Sequence, residues 1–344
     1  MMSNKTFILS ERSQLDHNSY ELVWEWEEEM AKGLPNCILK PKTEFVIPGK
    51  PLRKDSKIMM SKGLPVMKIV EALTGFCIDS KTISESDNIF RFEMTPRLKN
   101  NTWNCPNTSV VIVDFFLSPE QMPTFWERYS KVKHLYVSNL QVLHYLNANN
   151  PQRLVEHCPL SLPDRYAITK DTRFDKKYDV VMIGRQNPVL KGFLEQYAES
   201  HDIAYVFVKP TPDGHYHAFT NKGESVGNTD TREEYLNMLK LGKVVLYSTS
   251  GTDNDRIGTN GFHQVTPKFL EALACGCHVL SRFEDNEDTD FYDLRRMSSK
   301  IESYNDFETS MDKVLATPVD ITAYADYLAE HYTTAVSRKY LSFC

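Results

Sequence analysis

A loop that runs into a short helix is the segment of the sequence best suited to hold an anion. The loop covers residues 258–266, Thr266 is a favourable residue at the start of a helix, and Pro267 suits the first helical position. Gly276 stands where a left-handed residue would end the helix, so the pattern predicts a helix over 267–275. A helix N-terminus presents free amide groups and the positive end of the helix dipole. We therefore expect a phosphate or diphosphate there.

Glu271 lies one turn into this predicted helix. A carboxylate beside a phosphate site repels the anion unless it turns toward neutral donors, and the two hydroxyl groups of a ribose are such donors. The position therefore predicts a ribose-binding residue. The alternative is a solvated glutamate on a helix surface.

Two cations are placed to join the same site. Gly184 and Arg185 end a predicted strand over 179–184, and Lys191 opens the helix that follows. Because the carboxyl ends of parallel strands meet at one edge of a sheet, Arg185, Lys191 and the loop should converge there. Two cations and a helix N-terminus together would bind a diphosphate.

These residues resemble a family. The segment Lys268-Phe-Leu-Glu-Ala-Leu-Ala-Cys-Gly-Cys-His-Val-Leu280 resembles the donor-site segment of GT-B glycosyltransferases, especially the retaining family-four type and the spore-maturation-protein-like group. Gly184-Arg185 followed by Lys191-Gly192 is similar to the pair that holds the donor diphosphate in those enzymes. The resemblance implies that Glu271 binds the donor ribose. His263 stands where the family has a second glutamate that meets the donor sugar.

The resemblance and the residue chemistry together imply a set of site residues. His263 would hydrogen-bond the donor sugar or support the diphosphate, and the alternative is a loop histidine with no role. The predicted catalytic residues are Arg185, Lys191 and His263, and the predicted donor-binding residues are Gly184, Gly261, Phe262, Thr266, Lys268 and Glu271.

On the acceptor side, Asp16 and His17 follow a predicted first strand over 5–10. Either would face the cleft between two domains and could take the acceptor proton in an inverting reaction. A retaining reaction by front-face attack needs no such base.

We expect no metal and no cofactor besides the nucleotide-diphospho-sugar donor. No Asp-x-Asp pair ends a predicted strand, and Asp253-Asn-Asp255 lies in a polar loop. His215 and His217 would need a third converging ligand to hold a metal, so a plain loop is favoured. Cys275 and Cys277 are interpreted as small packing residues.

Strands and helices alternate twice along the chain, which predicts two parallel sheets. The fold class expected is α/β, with two Rossmann-like doubly wound domains facing a cleft, as in GT-B proteins. The predicted boundaries are an acceptor-side domain over 1–167, a nucleotide-sugar-binding domain over 168–318, and a C-terminal helix over 319–344 that packs back across both. The segments 209–230 and 284–293 are polar and are predicted as loops, whereas 154–163 is predicted as the last strand of the first domain.

Composition excludes several classes of protein. The 344 residues are 41% hydrophobic and 25% charged, and no apolar run is long enough for a membrane helix. A net charge of −6 gives no reason to expect a nucleic-acid partner. Scattered cysteines and the lack of an apolar leader predict a cytoplasmic protein.

A basic stretch covers residues 40–68, with eight Lys or Arg against two acidic residues. It would rest on an anionic membrane surface at the inner face or guide a phosphorylated acceptor, unless it is simply a solvated loop. The function expected is metal-independent transfer of a sugar from a nucleotide-diphospho-sugar to a glycan or lipid-linked acceptor in bacterial surface polysaccharide synthesis. The resemblance implies that the transfer retains the configuration of the sugar. The alternatives are a GT-B nucleotide-sugar epimerase and a catalytically silent nucleotide-sugar-binding protein.

Overall fold

The computed structural model of the protein describes residues 5–10, 18–41, 87–98, 107–211 and 215–342. Asp16, His17 and nearly all of the basic stretch 40–68 lie outside these residues, so the predictions made for them stay predictions. No helix in the described part is long and apolar enough to cross a membrane.

The first sheet is parallel throughout its described strands, in the order β2-β1-β3-β4-β5-β6. Its helices pack on both faces because the strands are apolar on both sides, as in β4, where Val110 and Ile112 join one core cluster and Val111 joins the other. The elements are β1 (Thr6–Ser10), α1 (Asn18–Gly33), β2 (Cys37–Pro41), β3 (Asn88–Glu93), β4 (Thr108–Ile112), α2 (Met122–Tyr129), β5 (His134–Val137), α3 (Leu140–Asn149) and β6 (Glu156–His157).

The second sheet has the order β10-β9-β8-β7-β11-β12-β13. Val181 and Val245 belong to one core cluster and their neighbours Val180 and Val244 to the other, which gives the sheet two covered faces. The elements are β7 (Tyr178–Met182), α4 (Pro188–Ser200), β8 (Tyr205–Pro210), β9 (Tyr216–Thr220), β10 (Ser225–Asn228), α5 (Arg232–Lys240), β11 (Gly242–Ser248), α6 (Lys268–Ala274), β12 (His278–Arg282), α7 (Glu287–Phe291), α8 (Leu294–Met297), β13 (Ser299–Lys300) and α9 (Tyr304–Ala316).

The predicted fold class, two Rossmann-like α/β units, is confirmed, but three segment predictions are wrong. Within the segment 209–230, predicted as a loop, β9 and β10 form an antiparallel hairpin, and β9 also pairs with β8. Residues 284–293 contain α7, which begins where the Asn286 side chain accepts bonds from the amides of Asp288 and Thr289. The strand predicted over 154–163 is reduced to the two residues of β6.

The C-terminal segment contains α10 (Ile321–Leu328) and α11 (Thr333–Tyr340). Helix α10 packs on α6 of the second sheet, whereas α11 packs on α1 of the first. Between them, the backbone of Leu162 exchanges hydrogen bonds of 2.8 and 2.9 Å with His331 and Thr333. The two halves of the chain are thus joined by a returning segment, while the predicted boundaries at 167 and 318 stay predictions.

Candidate functional site

The carboxyl ends of three adjacent parallel strands, β7, β11 and β12, form one edge of the second sheet. Gly184 follows β7 with a φ of 69°, a left-handed conformation that favours glycine and turns the chain out of the sheet. Arg185 comes next, so its side chain starts at this edge. The loop after β11 and the first turn of α6 start at the same edge.

Arg185 is held by the exit loop of β11. Its Nη1 donates to Ser250 Oγ at 2.9 Å, its Nη2 donates to the Ser248 carbonyl at 3.2 Å, and its Nε lies 3.2 Å from Asp255 Oδ2. The side chain is 28% exposed. The guanidinium is therefore fixed by the loop after β11 and is still partly accessible to a ligand.

Lys268 brings a second cation to the same place, and its Nζ donates to the Arg185 carbonyl at 3.4 Å. Burial, together with the positive charge of Arg185, lowers the pKa of Lys268 to about 7. Two neighbouring cations that disfavour each other's charge are stabilised by an anion. Lys268 was predicted as a donor-binding residue, and the structure brings it to Arg185.

The aspartates of Asp253-Asn-Asp255 each face an arginine. Asp255 is fully buried and accepts bonds from Ser248 Oγ at 2.6 Å and the Gly251 amide at 2.7 Å. Asp253 accepts from Arg282 Nη2 at 2.9 Å. Among the described residues, no three His, Cys, Asp or Glu residues lie together as a metal-binding group.

Lys191 lies in the second turn of α4, and its ion contact is with Glu195 on the same helix at 3.7 Å. Its side chain is 52% exposed. The structure shows a contact between Arg185 and Lys268. The role of Lys191 at a diphosphate stays a prediction.

Glu271 is buried, which excludes the alternative of a solvated surface residue. Its Oε1 lies 2.7 Å from Arg232 Nη1, and its carboxylate also bonds the Tyr235 hydroxyl. Arg232 and Tyr235 open α5, so this group lies at the same sheet edge as Arg185. A ribose contact for Glu271 stays a prediction.

The start of α6 differs from the expected one. Pro267 occupies the N-cap position, with no side-chain cap, and the helix begins at Lys268. Thr266 does not cap the helix because its side chain is hydrogen-bonded to Tyr247 instead. The Thr266 amide also donates to the Tyr247 hydroxyl at 2.9 Å.

The loop before α6 contacts the first domain. The Phe262 ring lies 5.8 Å from the ring of Phe115 and 5.4 Å from that of Tyr145. Gln141 donates to the Gly261 carbonyl at 3.3 Å and accepts from the His263 amide at 3.1 Å. Gly261 and Phe262, predicted to bind the donor, therefore lie in the contact between the two domains.

The two ring nitrogens of His263 have different surroundings. Its Nε2 lies 3.6 Å from Glu284 Oε2, and its side chain is 18% exposed. Its Nδ1 is buried and has no hydrogen-bond partner in the part of the chain that the structure describes. The imidazole can therefore still exchange a hydrogen bond with a ligand.

A charge pair between the two domains was not predicted from the sequence. Asp114 follows β4 in the first domain, and its Oδ2 lies 3.2 Å from Arg256 Nη1 of the second. Arg256 also stacks 4.1 Å over the Phe116 ring. Burial raises the pKa of Asp114, whereas Arg256 and Arg185 act in the opposite direction. The signal available in the sequence was an aspartate directly after a buried strand.

Comparison with known proteins supports the fold. Neither a family model nor a curated protein matches the sequence. Among solved structures, a trehalose-6-phosphate synthase is similar over 98% of both chains, with a TM-score of 0.57 and 10% identity. A sucrose-phosphate synthase from Thermosynechococcus elongatus is similar over 98% of this chain and 97% of its own, with a TM-score of 0.50 and 11% identity. The fold is thus GT-B, whereas the family-four and spore-maturation-like subtypes stay predictions.

Proposed function

We propose that the protein is a glycosyltransferase that uses a nucleotide-diphospho-sugar donor. The observation that carries the proposal is the cation pair of Arg185 and Lys268 at the carboxyl edge of the second sheet. Burial and the positive charge of Arg185 lower the pKa of Lys268 to about 7, and a diphosphate would offset both effects. The GT-B fold, shared with two proteins named as sugar synthases, supports the same reading by analogy.

The geometry favours catalysis by charge stabilisation. As the bond between the sugar and the diphosphate breaks, negative charge grows on the leaving oxygen, and Arg185 and Lys268 would stabilise it more than they stabilise the bound donor. Arg185 is held in advance by Ser250 and Asp255, so little reorganisation is needed. The reaction proposed is metal-independent, with these cations in the place of a divalent ion.

The other residues have roles that follow from their positions. Glu271 would accept bonds from the donor ribose, and the free Nδ1 of His263 would meet the donor sugar. The acceptor would be a glycan or a lipid-linked glycan that enters from the first domain. Retention of configuration and a place in bacterial surface polysaccharide synthesis follow from the resemblance.

Nucleotide binding tests the proposal directly. We expect UDP, GDP, ADP or CDP to stabilise the protein in a thermal-shift screen. Arg185→Ala and Lys268→Met should each weaken the selected diphosphate by about 10- to 100-fold, as for a lost charge-assisted contact. Lys313→Ala, an exposed lysine on α9, is the control and should leave affinity unchanged. Unchanged affinity in both site variants would remove the site.

Turnover tests His263. His263→Ala should lower turnover of the sugar donor while affinity for the free diphosphate stays the same, because the residue would contact the sugar and not the phosphates. Equal loss of affinity for both ligands would place His263 on the phosphates instead. Release of an altered nucleotide sugar without an acceptor would identify an epimerase, and binding without turnover would identify a silent protein.

A further inference from the structure

A buried chain of charges joins Glu271 to the first domain. Arg232 Nη1 lies 2.7 Å from Glu271 Oε1, and Arg232 Nε donates to Glu25 Oε2 at 3.0 Å. The side chains of Arg232, Glu25 and Glu271 are 11%, 12% and 4% exposed. Since Glu25 lies on α1 and Glu271 on α6, the guanidinium of Arg232 is shared between carboxylates of the two domains.

Arg232 is fixed on several sides. Its backbone amide donates to Glu21 Oε2 at 2.7 Å, and its guanidinium lies 5.9 Å from the ring centres of both Tyr166 and Tyr235. Glu25 is fixed in turn, because its second oxygen accepts a bond from the Tyr166 hydroxyl. The position of Arg232 thus depends on residues of both domains.

This arrangement determines how Glu271 can present its carboxylate. A glutamate side chain has three rotatable bonds, and the planar guanidinium holds one of its oxygens in a defined direction. Nη2 of Arg232 is buried and has no hydrogen-bond partner among the described residues. A free donor therefore lies beside the carboxylate, where an oxygen of a ligand could accept from it.

We propose that Arg232 is the positioning residue for Glu271, and that Glu25 of the first domain, by holding Arg232, sets how strongly the second domain selects a ribose. This inference rests on the proposed function, and specifically on Glu271 as the ribose contact. Loss of Arg232 frees the Glu271 carboxylate to rotate. Without the charge of Glu25, the Arg232 guanidinium pairs with Glu271 alone. It then makes a second contact with the Glu271 carboxylate and occupies the oxygen lone pairs that would accept from the ribose hydroxyls.

The contact between Glu271 and the ribose can be measured as the ratio of the affinities for a nucleoside diphosphate and its 2′-deoxy counterpart. The probe pair is chosen from UDP, GDP, ADP and CDP by the binding of the parent protein. We expect the parent to prefer the ribose form by about tenfold or more, as for one lost bond to a charged group. Arg232→Met should bring the ratio close to one, Arg232→Lys should lower it partly, and Glu25→Gln should lower it several-fold.

Two controls separate positioning from general damage. Glu29→Gln changes a carboxylate on the same helix with similar burial that pairs with Arg165, and it should leave the ratio unchanged. In a Glu271→Gln background, Arg232→Lys should have no further effect on the ratio, since both changes act through one carboxylate. If Arg232→Met does not fold, Arg232→Lys and Glu25→Gln still decide the question.

The outcomes are distinct. Absence of nucleotide binding by the parent would overturn the proposed function and this inference with it. Diphosphate binding without a ribose preference would leave the proposed diphosphate site standing and show that Arg232 only seals Glu271 in the core. A ribose preference that is unchanged in folded Arg232→Lys and Glu25→Gln would also overturn the inference.

Discussion

At the scale of single residues, Lys268 is a partly buried lysine that lies beside a second cation, Arg185. Its pKa is lowered to about 7 by burial and by Arg185, so near neutral pH the side chain is only partly charged. A diphosphate beside it would raise that pKa toward the usual range of a lysine. Binding would then be coupled to the uptake of a proton.

We predict that the affinity for a nucleoside diphosphate falls as the pH rises from 7 to 9. Well below pH 7 Lys268 is already charged, so ligand binding is accompanied by almost no proton uptake. At pH 8 ligand binding takes up close to one proton per site. Titration calorimetry in buffers of different ionisation enthalpy measures this uptake. The same uptake in Lys268→Met would show that another group is responsible.

At the scale of elements, helix α3 of the first domain depends on a carboxylate from the second. Asp288 Oδ1 accepts from the Leu140 amide at 2.8 Å, and its Oδ2 accepts from the Gln141 amide at 3.3 Å. Asn139 supplies the cap within the first domain by accepting from the Val142 amide at 2.8 Å. The first amides of α3 are thus satisfied jointly by both domains.

Asp288 should make stability depend on pH. Burial raises the pKa of Asp288 from 3.8 to about 6, although the two amide bonds act in the opposite direction. Because folding raises the pKa of the Asp288 carboxyl, the contribution of this group to stability is fully present below the pKa of the unfolded chain. That contribution is lost as the pH rises through about 6. Relative to Asp288→Asn, the free energy of unfolding of the parent should therefore fall by about 2 kcal/mol between pH 4 and pH 7.

Chemical denaturation of the parent and Asp288→Asn at several pH values measures this difference. Asp290→Asn is the matched control, because Asp290 is exposed on the same helix. It should follow the pH profile of the parent. A parallel profile in Asp288→Asn would mean that the buried carboxyl does not titrate in this range.

At the scale of the whole molecule, Gln264 connects the loop before α6 to the first domain. Its Nε2 donates to the Phe115 carbonyl at 2.5 Å, its Oε1 accepts from the Phe115 amide at 3.4 Å, and the residue is 2% exposed. The pair of Asp114 and Arg256 is a second contact between the same two domains.

Gln264→Leu should lower the free energy of unfolding by about 2 to 4 kcal/mol, because two buried backbone groups lose their partners. We also expect a larger radius of gyration in small-angle scattering, as the domains separate. Gln196→Leu, an exposed position on α4, should change stability by no more than about 0.5 kcal/mol. Equal stability and size in Gln264→Leu and the parent would contradict a tie between the domains.

The sequence alone determined the features that act over a few residues of chain. The alternation of apolar strands and capped helices predicted two parallel sheets, and the helix expected over 267–275 is α6 to within one residue at each end. The prediction that Arg185 would end the first strand of the second sheet follows from the same local signals. These predictions succeed because periodicity, caps and turns depend on neighbouring residues.

Only the tertiary structure decided which side chains meet. Lys268 lies beside Arg185, Glu271 pairs with Arg232, and Asp114 faces Arg256 from the other sheet. These partners lie far apart in the chain, and no local pattern specifies them. Packing of helices and loops at the edge of a sheet brings them within hydrogen-bonding distance, and burial then shifts the pKa values of Lys268 and Asp114. The site therefore depends on the fold for its chemistry, although the sequence places its loop and helix.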